Sequence, residues 1–219
     1  VRNAIIITII AAILIFIVLS FLPSKRDAKE NYTYGTMYEY GIGVNADASE
    51  AFKRYLDAAR AGLPEAQYAV GVLYENGAGV ERNLQEAIRW YRLSADQNFP
   101  PALFNLANIA RLGNGLNHDF ATALIFYTRS CTQGYAPACH NLGAMHGNGE
   151  GTPQNYAEAY RWLLLSSTMG YRPATRYAAT FAKELSGTER KNVEESVTAQ
   201  AKTITIFKAP SLPGVSRDL

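Results

Sequence analysis

Ala66–Asn98 reads AQYAVGVLYENGAGVERNLQEAIRWYRLSADQN, and this stretch decides the fold. Ala66, Val70, Gly71, Leu73 and Tyr74 are apolar or small at offsets that share one helical face. The spacing predicts a helix over Pro64–Asn76, ended by Gly77, where a left-handed residue is needed. Gly79 supplies a second permissive position in the turn. Asn83 is placed to cap a second helix, and Glu86 completes a capping-box-like pair with it. That helix carries Ala87, Trp90, Tyr91 and Ala95 and ends near Asn98. The small residues let the two helices approach, and the aromatics fill the space beyond them.

The hairpin recurs every 36 residues along the chain. Gly41 and Gly43 are followed by Gly77 and Gly79, Gly113 and Gly115, then Gly149 and Gly151. Ala51, Ala87, Ala123 and Ala159 keep the same step, as do Ala66, Ala102, Ala138 and Ala174. The caps recur as Asp47 with Glu50, Asp119 with Thr122, and Asn155 with Glu158. Pro101, Pro137 and Pro173 open later first helices, where a missing N–H costs nothing. A fixed period of this size predicts an all-α fold, an α/α solenoid in which each unit buries its apolar face against its neighbours. The expected units are about 30–65, 66–101, 102–137 and 138–173, with a capping helix pair over 174–202. In that pair Ala174–Leu185 reads as a fifth first helix, and Ser186-x-x-Glu189 caps a polar last helix to about Ala201. Residues 203–219, with Pro210, Pro213 and Gly214, read as extended or disordered.

Ahead of the repeats, Ala4–Leu22 is uncharged and free of Gly and Pro. As a helix it spans roughly 28 Å, about the hydrocarbon thickness of a bilayer. Residues 1–23 are therefore expected to be a transmembrane helix, joined by a polar linker at 24–29. The alternative is a signal peptide, but FLPSKRDA offers no clear small-x-small cleavage site. Lys25, Arg26 and Lys29 follow the segment and Arg2 precedes it, which by the positive-inside rule puts the repeats in the cytoplasm. The two cysteines argue the other way. Cys131 falls late in one helix and Cys139 early in the next, across a tight turn and within plausible disulfide reach. Two buried thiols are the alternative; a disulfide implies an oxidising compartment.

The repeat resembles the Sel1-like repeat, a relative of the tetratricopeptide repeat, over about Ala28–Pro173. Departures are modest: Ala107 for Gly, Ala110 and His146 for Tyr, Thr152 for Val, and Arg54 for the second-helix aromatic. The Cys-x7-Cys spacing is similar to that of secreted, cysteine-rich Sel1-like proteins of bacteria. The resemblance implies a right-handed superhelix with a concave face and a role as an adaptor in assemblies, without enzyme activity.

Net charge is +2, so general nucleic-acid affinity is not indicated. His118, His140 and His146 do not cluster as metal ligands would, and no cofactor motif or catalytic grouping stands out. GNGEGT at Gly147–Thr152 sits in the ordinary turn and lacks the Lys-Ser/Thr of a phosphate loop. By analogy with tetratricopeptide repeats, the inner face takes one residue per first helix: Tyr32, Tyr68, Phe104, His140 and Arg176. Asn105, Asn108 and Arg111 add groups able to clamp a peptide backbone or pair with a carboxylate. The plainer reading is that the tyrosines are core and that Asn105 and Asn141 brace neighbouring repeats. The function expected is a membrane-anchored scaffold that binds a protein partner as a subunit of a membrane complex, its repeats in the periplasm beside a bacterial inner membrane. The rivals are a soluble periplasmic or secreted peptide binder and a cell-wall hydrolase.

Overall fold

The computed structural model describes residues 25–113 and 118–210. All the secondary structure within them is helical: α1 Lys25–Tyr40, α2 Ala48–Arg60, α3 Pro64–Asn76, α4 Leu84–Asp96, α5 Pro100–Leu112, α6 Phe120–Thr132, α7 Ala136–Asn148, α8 Tyr156–Thr168, α9 Arg172–Ala182 and α10 Gly187–Ala201. Two compact units are present, one up to Asn83 and one from Leu84. Among the described residues no helix is long and apolar enough to cross a membrane. Ala4–Leu22, the expected transmembrane segment, lies outside them.

Within the first unit α1 packs on α2 and α2 on α3. The expected linker at 24–29 is mostly absent, because Lys25–Lys29 form the first turns of α1. Ala28 is buried there, and Arg26 pairs with Glu30 one turn on, so this stretch has both a core face and helical side-chain pairing. The core gathers Ala51, Tyr55, Ala58, Ala66, Val70 and Leu73. Gly79 has φ 69, and a Cβ there would overlap the Ala48 carbonyl oxygen, so both backbone conformation and space demand glycine.

In the second unit α4 through α9 pack consecutively, and α10 turns back onto α8. The core joins Ala123, Tyr127, Cys131, Ala138, Cys139, Leu142, Met145, Trp162, Leu165 and Val197. All eight alanines that keep the 36-residue step, in both units, are 0% exposed, so any larger side chain there would have to push helices apart. The four second-helix ends have positive φ at Gly62, Asn98, Gly134 and Gly170. Asp47, Asp119 and Asn155 each accept a backbone N–H from the first turn of the helix they cap. Glu50 and Glu158 do not bond back; their carboxylates turn to Arg54 and Arg161. A full reciprocal capping box forms at Ser186 and Glu189.

Cys131 and Cys139 are joined in a disulfide across the α6–α7 turn, with Cα atoms 4.8 Å apart. The segment after α10 is extended and docked: the Phe207 N–H donates to the Gly134 carbonyl at 3.0 Å, and its ring sits edge-on to Phe99 and Tyr135. Residues 211–219, the rest of the expected tail, lie outside the described residues.

Candidate functional site

In the first unit, α1 and α3 carry Tyr32 and Tyr68, both half-buried. The Tyr32 ring lies 5.4 Å from that of Tyr55. Burial, then the charges of Glu65 and Glu39, push the Tyr32 hydroxyl up to about 12. The buried Tyr55 hydroxyl shares its proton between Glu39 Oε2 at 2.5 Å and Thr36 Oγ1 at 3.2 Å.

In the second unit, α5 supplies Phe104, Asn105, Asn108 and Arg111, all half-buried. Phe104 packs against Tyr127 and Tyr135. Asn108 and Arg111 are turned inward. Asn108 Oδ1 accepts from the Tyr127 hydroxyl at 2.5 Å, and Asn141 Nδ2 donates to that hydroxyl at 3.1 Å. Arg111 forms a two-toothed ion pair with Glu150, at 2.6 and 3.0 Å. The hydrogen bonds with Arg111 hold the Glu150 carboxyl below its ordinary range. A partner carboxylate that reached Arg111 would have to displace Glu150.

His140 on α7 and Arg176 on α9 hold the repeat position of Phe104. The His140 ring is edge-on to Tyr171 and Tyr177, 5.4 and 5.2 Å away. Burial pushes its imidazole below the ordinary value, and the Arg111 charge adds to this. Its Nδ1 is buried without a hydrogen-bond partner among the described residues. Arg176, Tyr177 and Thr180 line a surface pocket, and Tyr177 is 54% exposed. His118 sits in a loop, stacked on Phe120. Among the described residues no three His, Cys, Asp or Glu side chains converge as a metal site requires.

One set of buried polar residues is absent from the sequence reading. Ser94, Ser130 and Ser166 are 0% exposed. Ser130 Oγ donates to the Pro100 carbonyl and Ser166 Oγ to the Ala136 carbonyl, at 2.8 and 2.7 Å. Each ties a second helix to the start of the first helix of its own hairpin. Their 36-residue step is a signal the sequence did contain.

The Sel1 repeat family model matches residues 31–63, 64–99, 100–135 and 136–171. No curated protein matches the chain. A Sel1 repeat protein from Oxalobacter formigenes is similar in structure, with TM-score 0.69 and 26% identity over 78% of this chain and 72% of that one. A second similar structure is c5321, a protective antigen present in uropathogenic Escherichia coli strains displaying an SLR fold. Its TM-score is 0.70 and its identity 28%, over 80% of this chain and 38% of that one. Repeats of this type are in general non-catalytic scaffolds for protein–protein interaction. Four consecutive matches, over hairpins whose alanines and turn residues keep one period, place this chain in the Sel1 repeat family.

Proposed function

We propose that the chain is a non-enzymatic scaffold anchored in a membrane by Ala4–Leu22, holding a protein partner through its repeats as an accessory or assembly subunit of a membrane complex. The observation that carries the partner-binding part is the side-chain row on the first helices of the second unit. Phe104, His140 and Arg176 follow one repeat position, and the exposed Tyr177 packs on His140. Of these, Arg176 and Tyr177 are exposed and not consumed by the core, and arginine and tyrosine side chains are well suited to anchor a partner. Tyr32 and Tyr68 hold the same position in the first unit. Asn105 is a further polar contact. Asn108 and Arg111 take part only if a partner exchanges for Asn141 or Glu150.

The membrane part rests on nineteen uncharged residues just ahead of α1. The Cys131–Cys139 disulfide supports repeats in an oxidising space such as the periplasm beside a bacterial inner membrane.

Site-specific photo-crosslinking in native membranes tests the binding face. A crosslinker at Tyr177 on α9 should yield a discrete partner adduct, and one at Ile125, 60% exposed on α6, should not. Adducts from Ile125 alone would place the partner on the second-helix side and end this reading of the face. The mass of the mature protein tests the anchor: a start near Ser24 would make the chain a soluble periplasmic or secreted binder.

A further inference from the structure

The second unit already holds one extended segment, its own. Residues 203–210 follow α10 without regular structure and run over the α6–α7 turn. Three features define the contact. The Gly134 carbonyl accepts the Phe207 N–H, a main-chain bond that any extended segment can supply. Gly134 itself has φ 85, and a Cβ there would overlap the Thr205 carbonyl oxygen, so the segment passes where only glycine leaves room. The Phe207 ring fits between Phe99 and Tyr135, with centroids 5.5 and 5.9 Å away, and Tyr135 continues the stack to Phe104. Phe99, Gly134 and Tyr135 thus form a slot with a main-chain acceptor and aromatic walls.

This turn stands apart from its counterparts. A Cβ at Gly62 or Gly170, which have the same left-handed backbone, would meet nothing within 4 Å. The covered turn is also the one stapled by the Cys131–Cys139 disulfide, which holds the slot's main chain in place without the segment's help. The segment itself is lightly held: Ile204 and Phe207 are half-buried, whereas Thr205, Ile206 and Lys208 are exposed. Ordering such a stretch costs entropy, which the Phe207 ring, the Ile204 side chain packed against the core and the main-chain bond to Gly134 offset.

We propose that the slot between Phe99 and Tyr135, over Gly134, is a docking site for an extended segment bearing a phenylalanine, that Thr203–Phe207 fills it in cis, and that a partner segment of the same chemistry binds by displacing it. This deepens the scaffold reading and rests on it: the occupied slot borders Phe104, so tail and partner compete for one surface.

The test uses the full-length protein and a labelled peptide of residues 203–208, TITIFK, added in trans. Phe207→Ala should empty the slot and raise peptide affinity at least about tenfold over the parent chain, since the resident competitor is gone. Adding Gly134→Ala to that variant should abolish binding. Adding Gly170→Ala, which strains the backbone equally but blocks nothing, should not. In the parent chain the Phe207 amide should exchange slowly with solvent and faster when peptide is added. Equal affinity for parent and Phe207→Ala chains, binding by neither, or free-rate exchange at Phe207 would each overturn the proposal. No partner enters this experiment, so its failure leaves the crosslinking result at Tyr177 standing, and the reverse also holds.

Discussion

Tyr55 in the first unit and Tyr127 in the second occupy the same repeat position, and both rings are buried. Their hydroxyls end differently. Tyr55 reaches an exposed carboxylate, Glu39, with the Thr36 hydroxyl beside it. Tyr127 enters a half-buried amide pair, Asn108 and Asn141, next to the Arg111–Glu150 ion pair. A third position shows what happens without the hydroxyl. Leu163 stands one repeat after Tyr127, and the first-helix residues one repeat after Asn108 and Arg111 are Ala144 and Gly147. A Cβ at Gly147 would overlap the Phe181 ring, so apolar packing has replaced the polar pair. The repeat dictates a large residue at this place on the second helix. What its tip touches is chosen by the first helix, at the residues where partner contacts were expected.

The largest break between the units should come from the disulfide, which the second unit alone possesses among the described residues. Reduction, or Cys131→Ser with Cys139→Ser, should cost about 2–3 kcal/mol for a loop this short. The urea midpoint of the second unit should fall while amide exchange in α1–α3 is unchanged. Equal loss in both units would erase the distinction.

A smaller effect sharpens the tyrosine comparison. Tyr127→Phe removes two hydrogen bonds from half-buried amides, leaving only the direct Asn141–Asn108 bond, and should cost about 1–2 kcal/mol, whereas Tyr55→Phe frees the exposed Glu39 to water and should cost less than about 1 kcal/mol. Urea midpoints of the two single variants decide it, and the reverse order would refute the assignment of partners.

The smallest effect is in pH. Burial holds the His140 and His146 imidazoles below their ordinary 6.5. The folded chain therefore binds fewer protons than the unfolded chain once pH drops below that value. The stability contributed is complete above 6.5 and is lost as pH falls toward the folded values. His140→Gln and His146→Gln should each flatten the decline in stability between about pH 7 and 5. Both histidines lie in the second unit, so the first should show no such histidine-linked slope.

The repeat hairpin was legible because its constraints are local. Gly77 must be left-handed to end α3, Asp47 must cap α2, and Ala66 must be small where helices touch. Each leaves a residue type at a fixed step, and Pro64–Asn76 could be drawn to the residue from one copy. The first turns of α1 were not legible, because Lys25–Lys29 look like a charged linker until Ala28 finds a core.

By itself, then, the sequence determined the period, the hairpins, the family and an apolar segment long enough for a membrane, since backbone conformation and close helix contact act over a few residues. Only the tertiary structure decided which polar side chains are spent inward. Asn108 and Arg111 looked free on a helix and are engaged by Tyr127, Asn141 and Glu150 from other helices and turns. The docking of Phe207 on Gly134 was decided there too. Such pairings join residues far apart in the chain, and no local spacing records them.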